Sequence, residues 1–376
     1  MNASFLTGPV TVSPAVRAAF GTPPMSHRSP GFIDSMRRTR AALISLVNAP
    51  HVALLVGSGT LANDAVSAQL AAIDAPGLIL ANGEFGERLV DHAWRWNLEF
   101  TVERQAWGAA FDWREVRRTA ERIAPGWIWA VLTETSTGVA NPLHELRALS
   151  EHVEAALCLD AVSAIGLTRV DLQGVRFATA VSGKGLAAFP GLAAVFHDGR
   201  IANSRRIPRY LDLSGYEATE SVPFTHSSNL VAALECSLSL TDWPRKFERV
   251  AEESRWLRAE MQRLSMPPIA PERHAAAGVL TLELPDEVRT ADVAHALAEQ
   301  GFEIAWQSGY LIDRNWMQVA LMGEIDAAAL RALPGALAGC VERLVARRFR
   351  DREIPAVSHR GHLSAGSIQC PHGHFR

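Results

Sequence analysis

Lysine is almost missing from this chain: of 37 basic residues, two are lysine, Lys184 and Lys246, and the rest are arginine. Cysteine is scarce as well. The four residues, Cys158, Cys236, Cys340 and Cys370, lie far apart and show no metal-type pairing. That spacing argues against a disulfide framework and for free thiols in a reducing compartment. No apolar run approaches the ~20 residues that a bilayer span needs, and the start lacks the basic segment and apolar core of a secretory signal. A net charge of −3 gives no electrostatic reason to expect nucleic acid or an anionic membrane as a partner. The arginine-rich stretch "RRFRDR" reads as a solvated helix end. These absences lead to the expectation of a cytoplasmic protein.

What is present is a large apolar content, 48% against 20% charged, over 376 residues. That is ample for a real core and long enough for two lobes. From about residue 15 to 243 short apolar runs alternate with amphipathic helical stretches. "HVALLVG" precedes "TLANDAVSAQLAAI", "GLILANG" precedes "FGERLVDHAWRW", and "WIWAVLTE" precedes "PLHELRALSEHVEA", which "ALCLDAV" follows. Runs that are apolar at every position are strands buried on both faces, and their alternation with helices predicts a mostly parallel, doubly wound α/β sheet. A long Arg- and Glu-rich helix is expected from about Pro244 to Leu264. Beyond it, "AAGVLTLELP", "TADVAHALAEQG", "FEIAWQ", "WMQVALMG" and a last long helix predict a smaller α+β lobe over 244–350, joined by an N-terminal arm, 1–14. Residues 351–376, rich in Ser, Gly, His and Pro, read as a flexible tail. Its "CPHGH" is too short a signal to predict a metal site.

In open α/β sheets ligands sit beyond the carboxyl ends of the strands, so the residues that follow each run carry the functional reading. After the first come Ser58, Gly59 and Thr60, opening a helix. Small residues, hydroxyls and a helix N-terminus make a phosphate cradle, although the same residues also serve as ordinary caps. After the second comes Phe85, a candidate stacking face or a core residue. After the third comes the hydroxyl cluster of "ETSTG", with Thr135, and after the fourth Asp160, a ligand or a cap. After "RFATAVS" comes Lys184, between two glycines and among apolar neighbours. Burial lowers a lysine's pKa and makes the amine nucleophilic, a role arginine cannot take. An anion cradle, a flat face, a carboxylate and an isolated amine are the parts that pyridoxal phosphate needs.

Those motifs, with "HRSPGF", "GSGTLAND", "NGEFGERL", "LDAVSAIG", "SGKGLAAFPGLA" and "PFTHSS", make the chain resemble the class V, fold type I pyridoxal-phosphate aminotransferases. The likeness is to the alanine–glyoxylate, serine–pyruvate and 2-aminoethylphosphonate–pyruvate transaminases, and runs to about residue 326. It implies that Lys184 forms the internal aldimine and later moves the substrate's α-proton. It implies that Asp160 pairs with the pyridine nitrogen, Val162 and Phe85 flank the ring, Ser58, Gly59 and Thr60 hold the phosphate, and Thr135 bonds near the ring hydroxyl. Thr225 would reach the phosphate of a neighbouring subunit's cofactor, which implies a homodimer with shared active sites. No metal is implied.

Two departures stand out. Gly183 replaces the glutamine that the family usually has before the lysine, and Gln318 replaces the arginine that grips a substrate carboxylate. Loss of that charged pair costs about 2–5 kcal/mol for a carboxylate ligand. Three readings remain open. Arg314, read as four residues upstream on the same strand face, or Arg28 could take over. The donor could lack an α-carboxylate, as an aminophosphonate does. Or the cofactor could serve another chemistry, a lyase or decarboxylase reaction. A non-catalytic homologue is the remaining alternative class.

Overall fold

The computed structural model describes residues 3–353. Its centre is a seven-stranded sheet: β1 (His51–Gly57), β2 (Gly77–Ala81), β3 (Phe100–Arg104), β4 (Trp127–Val131), β5 (Ala156–Asp160), β6 (Phe177–Val181) and β7 (Gly191–His197), in the spatial order β1-β7-β6-β5-β4-β2-β3. All neighbours run parallel except β7, which is antiparallel to both β1 and β6. The physical reason lies in the connections. Helices carry the chain back between most of the parallel strands, among them α1 (Gly59–Leu70) after β1 and α2 (Glu84–Arg95) after β2; between β5 and β6 the irregular link 161–176 does so. The nine residues between β6 and β7 hold no helix, and so short a link returns the next strand antiparallel. That link contains Lys184.

The unbroken apolar runs are explained by two cores, one on each face of the sheet. Val52, Leu54, Leu80 and Ile128 point to one, and Ala53, Leu55, Ile79 and Trp129 to the other. Neighbouring positions on a strand thus serve opposite cores, and every one is buried. A third core lies in the C-terminal part. There Val279–Glu283 and Trp316–Ala320 pair antiparallel, and the arm strand Ala3–Phe5 runs parallel to Phe302–Ile304. Phe5, Leu257, Leu282, Val319 and Leu333 share this core. The long α4 (Trp243–Arg263), which follows α3 (Ser228–Leu240), leads from the first region into the second.

Two details depart from the sequence reading. A helix, α5 (Gly309–Arg314), precedes the strand Trp316–Ala320, so Arg314 ends a helix and shares no strand face with Gln318. The final helix continues to Glu353, past the expected start of a tail, and the rest of that segment lies outside the described residues. Among the described residues, no helix is long and apolar enough to cross a membrane.

Candidate active site

A cavity of about 500 Å3 opens at the carboxyl ends of the parallel strands. Every strand-end residue singled out from the sequence within this sheet lines it: Ser58, Gly59 and Thr60, Phe85, Thr135, Asp160 and Val162, and Lys184.

Lys184 Nζ donates to Ser163 Oγ at 2.8 Å and sits 5.3 Å from the centre of the Phe85 ring. Ser163 also accepts from the Thr135 hydroxyl at 2.5 Å, so the hydroxyl that holds the amine is itself held by Thr135. Burial pushes the Lys184 ammonium below the usual lysine range, against the opposing fields of Asp160 and Glu134, and Arg88 pushes the same way as burial. Asp160 is 6% exposed, and each of its oxygens receives a donor: the Val162 backbone N–H at 3.0 Å and Asn63 Nδ2 at 2.8 Å.

The other end of the cavity is the start of α1. Several helices are capped by a serine or aspartate side chain, as at Ser13, Ser29, Asp112, Ser227 and Asp242, while others, such as those starting after Gly83 and Ser308, are not. At α1 the N-cap, Ser58, makes no such bond, and the first turn carries no acid. First-turn N–H groups and the N-terminal end of the helix dipole therefore face the cavity without a side-chain cap, which is what an anion needs.

Phe85 is held in place by Glu134. The N-terminus of α2 has no cap of its own, and the Glu134 carboxylate accepts from the backbone N–H of Phe85 at 3.3 Å and of Gly86 at 3.0 Å. The Ser136 hydroxyl donates to Glu134 and accepts from the Glu84 N–H. Burial pushes the Glu134 carboxyl up, and the Ser136 hydroxyl and the backbone N–H groups oppose it. The "ETS" stretch thus acts on the site through the helix that presents the aromatic ring.

The remaining predicted residues are not part of this cavity. Gln318 is fully enclosed (0% exposed) and its amide is spent: Nε2 donates to the Thr135 carbonyl and to Thr281 Oγ1, and Oε1 accepts from the Tyr310 hydroxyl. Arg314 stacks on Trp107, 3.7 Å from its ring centre. Arg28 and Thr225 are both exposed. Their segments touch each other, since Met25 N–H donates to Ser228 Oγ and Asn229 Nδ2 to the carbonyls of Phe20 and Thr22. The structure adds residues that the sequence reading missed. Ser163, Asn63 and Arg88 line the cavity, as do Thr7 and Gly8 of the arm. Ser163 lies inside a motif already singled out, and Arg88 is one turn from Phe85. Asn63 lies inside "GSGTLAND", also singled out, but local spacing does not show that its side chain reaches Asp160.

Gly183 has a steric cause. A Cβ there would lie 2.8 Å from Pro190 Cα, within the same turn, so no side chain fits without moving the backbone that carries Lys184.

The uncapped helix N-terminus, the buried carboxylate, the ring of Phe85 and the desolvated amine fit pyridoxal phosphate. Fold and cavity together define a fold type I pyridoxal-phosphate-dependent enzyme. No family model matches the chain. It is 29% identical over 310 residues to a 2-aminoethylphosphonate–pyruvate transaminase of Pseudomonas aeruginosa, covering 77% of this chain and 82% of that one. It is 28% identical over 324 residues to a protein of Anabaena cylindrica named as the 42 kDa subunit of a soluble hydrogenase, 81% and 83% covered. Among solved structures, the alanine–glyoxylate aminotransferase of a Nostoc species superimposes with a TM-score of 0.82 at 26% identity, over 90% of this chain and 96% of that one. In sequence and in fold the chain is similar to class V pyridoxal-phosphate-dependent aminotransferases.

Proposed function

We propose that the protein moves an amino group from a donor amine to a 2-oxo acid, with Lys184 as the group that forms the Schiff base and Asp160 as the partner of the ring nitrogen. The observation that carries this reading is the pairing of the desolvated Lys184 amine with the Asp160 carboxylate in one cavity whose far end is an uncapped helix N-terminus. Bound pyridoxal phosphate supplies the electron sink for the bond broken at the substrate's amine-bearing carbon. Ser58, Gly59 and Thr60 bind its phosphate, and Phe85 and Val162 flank the ring. Thr135 and Ser163 orient the Lys184 amine. Lys184 Nζ, whose ammonium burial pushes below the usual lysine range, would take the proton from the amine-bearing carbon as general base.

Gln318 does not grip a substrate carboxylate in this reading, because its three bonds are already made inside the protein. Of the cavity-lining residues Arg88 is the remaining fixed cation; its Nε is paired with Glu84 at 2.9 Å, and its other guanidinium N–H groups favour a donor whose negative charge sits away from the amine-bearing carbon, as in an aminophosphonate. The transaminase relative in Pseudomonas aeruginosa supports that direction by its name. The reading follows the residues of the cavity rather than the hydrogenase name.

The working unit is a homodimer, with Thr225 of each subunit serving the other's cofactor phosphate and Arg28 beside it. The exposure of both residues, on segments tied together by Met25 and Ser228, supports this. The compartment is the cytoplasm, in keeping with the free thiols of Cys158, Cys236 and Cys340.

The test is a spectral screen of the cofactor-loaded protein against amino acids, amino alcohols and aminophosphonates, followed by a 2-oxo acid. The visible band is expected to disappear with the right donor and to return with the acceptor. Arg88→Gln is expected to raise KM for an aminophosphonate about tenfold or more. A protein whose band no amine alters, or one whose Lys184→Ala variant still transfers amino groups, refutes the reading.

A further inference from the structure

Asn63 occupies the second position of contact with Asp160, and its chemistry is fully specified by its neighbours. It lies on α1, 5% exposed, and lines the cavity. Its Nδ2 donates to Asp160 Oδ2 at 2.8 Å, and its Oδ1 accepts from the Thr179 hydroxyl at 3.1 Å. Thr179 is fully enclosed and pairs with Asp160 across β6 and β5, so both side chains leave the sheet on the face that α1 covers. The Thr179 backbone is tied to the same turn, its carbonyl accepting from Ala161 N–H.

This arrangement decides which way the amide points. Turned over, Asn63 would set a carbonyl oxygen against a carboxylate oxygen, acceptor against acceptor. The Asp160 carboxylate, which only accepts, takes Nδ2, and the Thr179 hydroxyl, free to donate or accept, then donates to Oδ1 and holds the amide there. The Val162 N–H occupies the other carboxylate oxygen at 3.0 Å. One donor on each oxygen, one from the backbone and one from Asn63, fixes the rotation of the carboxylate and leaves a defined set of lone pairs free toward the cavity.

We propose that Asn63 is a positioning residue for Asp160, locked by Thr179, and that it sets how the carboxylate meets the ring nitrogen of the cofactor. The proposal rests on the reading of Asp160 as that nitrogen's partner. A helix position that would otherwise take an apolar residue packed on the sheet carries a buried amide, and the hydrogen bonds that satisfy its Nδ2 and Oδ1 end on Asp160 and on the strand beside it.

The experiment compares wild type, Asn63→Leu, Thr179→Val, Thr179→Ser and Asp160→Ala. Each protein, freed of cofactor, is titrated with pyridoxal phosphate by intrinsic-fluorescence quenching, and the visible absorbance of the loaded protein is followed with pH. Asn63→Leu is expected to weaken cofactor binding by about tenfold and to displace the pH midpoint of the visible band. Thr179→Val, which only unlocks the amide, is expected to weaken binding by about threefold and to move the midpoint in the same direction as Asn63→Leu, and Thr179→Ser to restore wild-type values. Asn63→Leu with wild-type affinity and midpoint overturns the proposal, even where its melting temperature is lower. Should Asn63→Leu fail to fold, the two Thr179 variants decide: valine equal to wild type overturns it, and valine shifted with serine restored supports it. A defect in Asp160→Ala with none at positions 63 and 179 overturns this proposal alone. Asp160→Ala binding as tightly as wild type removes the parent reading and this one with it.

Discussion

Lys246, the second of the two lysines, gives the sharpest quantitative prediction. It is 8% exposed on α4, and its amine donates to the Gly185 carbonyl at 2.5 Å, on the turn that carries Lys184. Burial pushes its ammonium from the usual 10.5 down to about 8; Arg249 pushes the same way and Glu324 opposes. That displacement corresponds to about 3 kcal/mol. The sign follows from proton counts. Between pH about 8 and 10.5 the unfolded chain holds a proton on this lysine that the folded chain has released, so folding stability climbs with pH across that window. Below about pH 8 both forms are protonated, and the folded state carries the whole cost.

Lys246→Met removes the titration and the cost together, but leaves the Gly185 carbonyl without its partner, a loss of about 1–3 kcal/mol. The two effects nearly offset at pH 7, where the variant should match wild type within about 2 kcal/mol. The assay is urea denaturation of both cofactor-free proteins from pH 7 to 10.5. Lys184 and the other groups titrate in both and cancel in the difference. Wild-type stability relative to the variant should rise by about 3 kcal/mol over the window. A difference that stays flat refutes the assignment of a buried, desolvated ammonium at this position.

Three further outcomes are expected. Lys184→Ala and Lys184→Arg should both lose the visible band of the bound cofactor, with amino transfer down at least about 10²-fold, since arginine keeps its proton; spectrum and rate check this. Gln318→Leu should cost about 2–4 kcal/mol in urea denaturation, by stranding the Tyr310 hydroxyl and the Thr135 carbonyl, and Gln318→Arg should cost more while adding no affinity for alanine, because the position is enclosed. Gly183→Ala should destabilise by about 1–3 kcal/mol and weaken cofactor uptake, as its Cβ meets Pro190 Cα at 2.8 Å; a neutral variant in both measurements would contradict the steric account.

How far the sequence could be read depended on whether a feature was local. "HVALLVG" and "WIWAV" are apolar at every position because each strand feeds two cores, and that pattern needs no tertiary information to be seen. That the residues following the strands line one cavity was legible for the same reason: a parallel sheet collects its carboxyl ends on one side, which brings Ser58, Phe85, Thr135, Asp160 and Lys184 together. Gln318 and Arg314 were legible as residue types but not as positions. Whether an amide at 318 faces a ligand or the Thr135 carbonyl depends on a contact spanning 183 residues. Arg314 is drawn away by Trp107, from a segment that no local pattern connects to it.

The sequence by itself therefore determined the strand and helix periodicity and the set of chemical groups delivered to the sheet's edge. Only the tertiary structure decided which of those groups remain free to act. Asn63, Ser163 and Lys246 owe their roles to partners 97, 21 and 61 residues away. A hydrogen bond is won or lost over fractions of an ångström, a distance that residue spacing along a chain does not encode until packing has fixed it.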